Sequence, residues 1–194
     1  MQNATMALDA QDRRNQELID GSRYMRQTIE SEVLDFKLDL GRNAALSGEE
    51  TDVLMALERT SARTALASLA SLAEIGELDH LGGGLELIST LNLTLAVSND
   101  AVGYTIEHAH TSIGYFSALA SWGYLDRDLV VDGFRRGLDI TGHVAWVPGG
   151  TELSGGRLGV MIPVAVGYAL GLRAYHGDDA LVYCHCGDAG WISG

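Results

Sequence analysis

The chain has 194 residues, of which 46% are hydrophobic and 20% charged, with a formal net charge of -13. That length suffices for one ordinary domain with a sizeable core, and the apolar content excludes an intrinsically disordered chain. The negative charge repels nucleic acid backbones and anionic membrane surfaces, so no nucleic acid and no membrane is expected as a partner.

Residues Met1–Arg14 are polar and lack the apolar segment of a signal peptide. No run of about 18 apolar residues suggests a membrane span. A cytoplasmic, reducing setting is expected. The two cysteines, Cys184 and Cys186, are separated by one residue. Read as strand residues facing opposite ways, they are not expected to form a mutual disulfide.

Glycine divides the chain. Of 24 glycines, only Gly21, Gly41, Gly48 and Gly76 precede residue 80. The first zone is helical by pattern. Ile29, Val33, Phe36 and Leu40 recur at spacings of three and four, which predicts one amphipathic helix stopped by Gly41 and the polar turn near Asn43. Ser47 and Glu50 predict a capping box ahead of Val53, Leu54 and Leu57, with helix continuing to about Leu72. Residues 1–78 are therefore read as a helical amino-terminal extension, a scaffold or a partner-docking surface.

In the second zone Leu85, Ile88, Leu91 and Leu95 mark a helix. Ser112–Trp122 predicts another, with Ile113, Phe116 and Ala120 along one side. Val160–Ala174 predicts a third, whose Ala165, Gly167, Ala169 and Gly171 suit close approach to neighbours. Ala180–Cys186, between Asp178-Asp179 and Gly187, reads as a buried parallel strand. Helices with such a strand indicate an α/β layer architecture, in which ligands sit beyond the carboxyl ends of strands; Gly187-Asp188 lies at such an end.

From Asp79 to the last residue, the order of motifs resembles the amino-terminal, thiamine diphosphate-binding domain of transketolases. The family's opening Gly-His-Pro-Gly-Gly turn is matched by Asp79-His80-Leu81-Gly82-Gly83. Its Ser-Asn-Gly-His or Ser-Lys-Gly-His stretch, followed by a helix ending in Gly-Tyr or Gly-Phe, is matched by Glu107-His108-Ala109-His110 and by Trp122-Gly123-Tyr124. Thr141-Gly142-His143 is similar to a Pro-Gly-His turn. Gly155-Gly156-Arg157-Leu158-Gly159-Val160-Met161 is similar to a Thr-Gly-Pro-Leu-Gly-Gln-Gly loop. Gly187-Asp188-Ala189 is similar to the Gly-Asp-Gly that opens the thiamine diphosphate motif. Five pieces in one order make the signal. The chain departs from the pattern at Arg157 for Pro, at Val160-Met161 for Gln-Gly, and at Ser193, where transketolases usually carry Glu.

The resemblance implies an α/β thiamine diphosphate-binding fold over residues 79–194, with a central parallel sheet flanked by helices and incomplete at its carboxyl end. It implies thiamine diphosphate and Mg²⁺ as cofactors. Asp188 would be the metal ligand, together with an Asn expected beyond Gly194. His80 and His110 would contact the diphosphate end and His143 the donor substrate, a catalytic set of three histidines. Gly156, Leu158, Gly159, Gly187 and Ala189 would shape the cofactor pocket. Histidine suits these tasks because it donates to phosphate and exchanges a proton near neutral pH, and the cofactor itself acts as the electron sink. The implied reaction moves a two-carbon ketol unit from a sugar-like ketose donor. The activating Glu and the pyrimidine-binding domain would come from a carboxyl-terminal transketolase-like subunit, in a split, two-component enzyme assembled as a heterotetramer. Two alternatives are an E1-type 2-oxoacid decarboxylating component and a non-catalytic assembly subunit. A zinc reading of Cys184, His185 and Cys186 is disfavoured, because no second close pair completes four ligands.

Overall fold

The computed structural model describes residues 32–39, 45–76, 82–136, 142–147, 149–151 and 153–193, together with Arg13 and Glu17. Over these it is a mixed α/β structure, mostly helical, with six helices and a two-stranded parallel sheet.

Helix α1 (Gly48–Glu74) begins at the capping box that the sequence predicts. Ser47 Oγ accepts from the Glu50 N–H at 3.2 Å, and Glu50 Oε2 accepts from the Ser47 N–H at 2.7 Å. Both donors would otherwise lack partners at the helix start. The same bonds hold the Glu50 carboxyl below its ordinary range. Helix α1 buries Leu57, Ala65 and Leu69 in a core shared with Ile88, Leu91 and Leu95 of α2 (Gly82–Val97). The helical zone and the glycine-rich zone thus share one core across residues 78 and 79.

Helix α3 (Ser112–Ser121) is buried on every side from Ser112 to Leu119. Trp122 ends it, and its indole Nε1 donates to Asn92 Oδ1 at 2.9 Å. Asn92 Nδ2 in turn donates to Ser61 Oγ at 3.2 Å, so one polar chain ties α3 to α2 and α1 inside the apolar core. Helices α2 and α3 cross at Gly84 and Gly114, where a Cβ on Gly114 would strike the Gly84 carbonyl. Glycine at both positions permits that approach. The crossing seats the start of α2 beside the start of α3.

Helix α4 (Arg127–Arg136) is absent from the sequence reading. Asp126 caps it, its Oδ1 accepting from the N–H groups of Asp128 and Leu129 at 2.8 and 3.1 Å. The signal was an Asp ahead of the apolar Leu129-Val130 pair, and Val130 is fully buried.

The helix expected over Ile29–Leu40 does not form in its described part. Residues 32–39 carry no regular helix. They lie across the ends of two other helices: the Leu34 N–H donates to the Trp122 carbonyl and the Leu38 N–H to the Ala96 carbonyl, both at 2.9 Å. Lys37 Nζ adds bonds to the carbonyls of Leu95 and Ser98. Helix carboxyl ends leave carbonyls without intrahelical donors, and this segment supplies donors to them. Its burial alternates only at its end, with Phe36 half-buried and Leu38 buried around exposed Lys37, while Val33 and Leu34 are both exposed. Ile29 and Leu40 lie outside the described residues.

Strands β1 (Val102–Ile106) and β2 (Leu181–His185) pair in parallel, in register from Val102 opposite Leu181 to Ile106 opposite His185. A one-residue parallel bridge between Ile106 and Ser154 extends the sheet on the other side of β1. Helix α5 (Met161–His176) lies in the connection before β2 and stops at Gly177, whose φ is 69°. The strand expected here is parallel, but it is not buried: Leu181 and Tyr183 are exposed. Among the described residues β2 is a sheet edge, which leaves one side of it uncovered. Gly167 and Gly171 of α5 face open space, so the close packing expected of that helix's small residues is not present at these two glycines. Among the described residues no helix is long and apolar enough to cross a membrane.

Candidate functional site

Three chain segments leave the sheet at its carboxyl edge. Glu107 follows β1, Gly155 follows the Ser154 bridge, and Cys186-Gly187-Asp188 follows β2. Parallel strands point their carboxyl ends the same way, so the three turns gather on one side of the sheet. The Gly155 N–H donates to the Ile106 carbonyl at 2.6 Å, and the Glu107 N–H to the His185 carbonyl at 2.8 Å.

Glu107 is the group at this edge that the sequence reading passed over. It is 1% exposed. Its Oε1 accepts from the Gly159 N–H at 2.7 Å, which draws the glycine loop 155–159 onto the end of β1. Its Oε2 is buried with no partner. Gly190, in the short helix α6 (Asp188–Ser193), packs against the same carboxyl group. A lone Glu beside histidines carries no periodic or motif signal, so only the fold singles it out.

The histidines sort into two groups. The rings of His110 and His143 lie 5.0 Å apart, centre to centre, and both residues are exposed. The Val144 N–H donates to the Ala109 carbonyl at 3.1 Å, and Ser154 Oγ donates to the Val144 carbonyl at 2.9 Å. These bonds bring the 142–147 segment to the turn that carries His110. His108 instead faces the sheet, with Nδ1 3.1 Å from the His185 carbonyl. A carbonyl only accepts, so that contact places a proton on Nδ1. His80 lies outside the described residues.

His185 packs against α2. Its Nε2 is 3.2 Å from Thr94 Oγ1 and its Nδ1 3.4 Å from Thr90 Oγ1. Both threonine hydroxyls already donate to α2 carbonyls. They therefore offer acceptors, and a neutral ring has one N–H to give, so the shorter Nε2 contact takes it. Burial, with the nearby His108 charge, pushes His185 down to about 4. It borders a cavity of about 330 Å³ between α2 and β2, lined mainly by Leu93, Val97 and Tyr183 with the two threonines. That cavity is not lined by His110, His143 or Asp188.

Asp188 is exposed at the first position of α6, its Oδ1 accepting from the Ala189 N–H at 2.8 Å. Gly187 faces the His108 side chain, which places the Gly187-Asp188-Ala189 turn beside the 107–111 turn. Gly156 and Leu158 are exposed, whereas Gly159, with φ 82°, is buried against Glu107. Among the described residues no three or more His, Cys, Asp or Glu side chains gather into a group able to hold a metal ion.

Both cysteines are free thiols, but the premise that they face opposite ways fails. Residues two apart in a strand share a face, because side chains alternate with a period of two. Cys184 Sγ and Cys186 Sγ lie 3.1 Å apart, both thiols free and partly buried. Burial, the Cys184 thiol and the Glu107 charge push the Cys186 thiol up to about 12.

Comparison of the chain with protein-family models, with curated proteins and with solved structures finds no match.

Proposed function

We propose that the chain is the diphosphate-binding subunit of a two-component, thiamine diphosphate-dependent enzyme that transfers a two-carbon ketol unit. The observation that carries this reading is the meeting of motif positions far apart in sequence at the carboxyl edge of a parallel sheet. His110 lies near His143, the Gly155–Gly159 loop is bonded to Ile106 and Glu107, and Gly187 faces His108. Ligands of parallel α/β sheets bind at that edge.

Asp188 fits as one Mg²⁺ ligand, since it is an exposed carboxylate on a glycine-flanked turn. Mg²⁺ keeps several waters and takes its remaining oxygens from bound phosphates, so one or two protein carboxylates suffice. When bound, thiamine diphosphate supplies the electron sink for cleaving the carbon–carbon bond next to the donor's carbonyl. The chain's own contribution is positioning. The exposed pair His110 and His143 donates to phosphate or donor oxygens, and His80 joins that set in this reading. Gly156, Leu158 and Gly159 form the wall beside the cofactor, and Gly187 and Ala189 flank the metal ligand.

A partner is part of the proposal. Helices α5 and α6 present Val166, Leu170, Tyr175, Trp191 and Ile192 to solvent, with Trp191 69% and Ile192 86% exposed. Apolar exposure on this scale is typical of an interaction surface. The same exposure favours a second reading, an assembly subunit without catalysis. Calorimetric titration of thiamine diphosphate with Mg²⁺ separates the two. Binding by the chain mixed with its partner subunit, lost in Asp188→Ala, is the expected result. Association of the two subunits with no cofactor binding in either condition would sink the catalytic reading and leave assembly.

A further inference from the structure

The geometry points to Cys184 and Cys186 as a dithiol modification site that a low-molecular-weight disulfide of the glutathione type converts reversibly to an intramolecular disulfide. Three observations carry it. The two sulfurs are already 3.1 Å apart, closer than their ordinary van der Waals contact, and both are thiols. Both residues are partly accessible, Cys184 on the strand that forms the sheet edge among the described residues and Cys186 just past its end. The strand ends at His185, so Cys186 and Gly187 lie beyond its ladder and are free of the pairing that fixes Cys184.

Extended residues two apart have Cα atoms about 6.6 Å from each other, near the upper end of the range a disulfide spans. Closing the bond therefore requires the chain to draw in at Cys186. The Gly187 turn can accommodate that, and the resulting bond is of the labile kind rather than a permanent staple. The exchange balances in two steps. One protein sulfur, as thiolate, attacks the small disulfide, forming a mixed disulfide and releasing one small thiol. The second protein sulfur then displaces the other half. Two S–H bonds are lost from the chain, one S–S bond forms, and the small disulfide is reduced to two thiols.

The consequence for the fold is local. His185, between the two cysteines, accepts at its carbonyl from the Glu107 N–H and lies against His108 Nδ1. Drawing Cys186 inward shifts that carbonyl and the turn that leads to Asp188. A role in cofactor binding rests on the function proposed above; the thiol chemistry does not.

The test uses the full chain, equilibrated without oxygen in buffers of stepped oxidised-to-reduced glutathione ratio, then alkylated and weighed intact. The expected result is a single transition from two alkylated thiols to none, in monomeric protein, reversed by dithiothreitol. Cys184→Ser and Cys186→Ser should each stop at one glutathione adduct. In the oxidised protein, hydrogen exchange at the Glu107 amide should quicken. Wild-type chain that keeps two alkylatable thiols at every ratio overturns the proposal, as does wild-type chain that accumulates glutathione adducts or disulfide-linked dimers. A denatured sample that oxidises at the same ratio as the folded one also overturns it, since the fold would then contribute nothing. Wild-type closure with no thiamine diphosphate binding leaves this inference standing and removes only the functional reading.

Discussion

The carboxyl group of Glu107 occupies the space that a side chain at Gly190 would need: a Cβ built there lies 2.5 Å from Oε2 and 2.6 Å from Cδ. Glu107 has little freedom to withdraw, because its Oε1 holds the Gly159 N–H and the residue is buried. Gly190→Ala should therefore destabilise the chain by about 1–3 kcal/mol, the usual cost of overpacking. Urea unfolding measures it. In a Glu107→Ala background the added methyl group should cost much less, and an unchanged cost would show that the two residues are not coupled.

Asn92 links Trp122 to Ser61 in the core. Asn92→Ala leaves the indole N–H buried without an acceptor, and burying an unpaired donor costs about 1–3 kcal/mol, to which the lost packing adds. The expected outcome is a lower denaturation midpoint with an unchanged slope. A neutral result would mean that water reaches the indole.

His185 sets a pH dependence. Its folded pKa, about 4, lies below the ordinary 6.5. Between these values the unfolded chain holds a proton that the folded chain does not, so stability rises with pH through this window. Its full contribution is present above about pH 6.5 and is lost as pH falls toward about 4. Unfolding free energies measured across the window should show a shallower slope for His185→Gln than for the wild type. Equal slopes would place the titration elsewhere.

Removing the Ser47 hydroxyl tests the start of α1. Ser47→Ala deletes the acceptor for the Glu50 N–H and should cost about 1 kcal/mol in thermal or urea unfolding. Ser47→Asp retains an acceptor and should recover most of the loss.

Local rules made part of this protein legible. Ser47 and Glu50 announce a helix because the capping box depends only on residues three apart. Ile88, Leu91 and Leu95 announce another because their spacing matches the helical period. The same period over Ile29–Leu40 misleads. Phe36 and Leu38 are instead used in alternation by a segment that donates to the ends of α2 and α3, a demand set by residues some 60–90 positions away. Helix α4 carried a local signal at Asp126 that the pattern reading missed.

What the sequence by itself determined is the set of helices with complete local signals, the presence of a strand before Gly187, and the order of candidate positions His110, His143, Gly155–Gly159 and Asp188. What only the tertiary structure decided is their neighbourhood. The register of β1 with β2 sets the turn after Ile106 beside the turn after His185, and the Ser154 bridge brings the glycine loop to both. Those pairings join residues 79 and 48 positions apart, which no local spacing encodes. The exposure of β2 and the burial of Glu107 follow from the same register, because side-chain direction in a strand acquires meaning only when its neighbours are known.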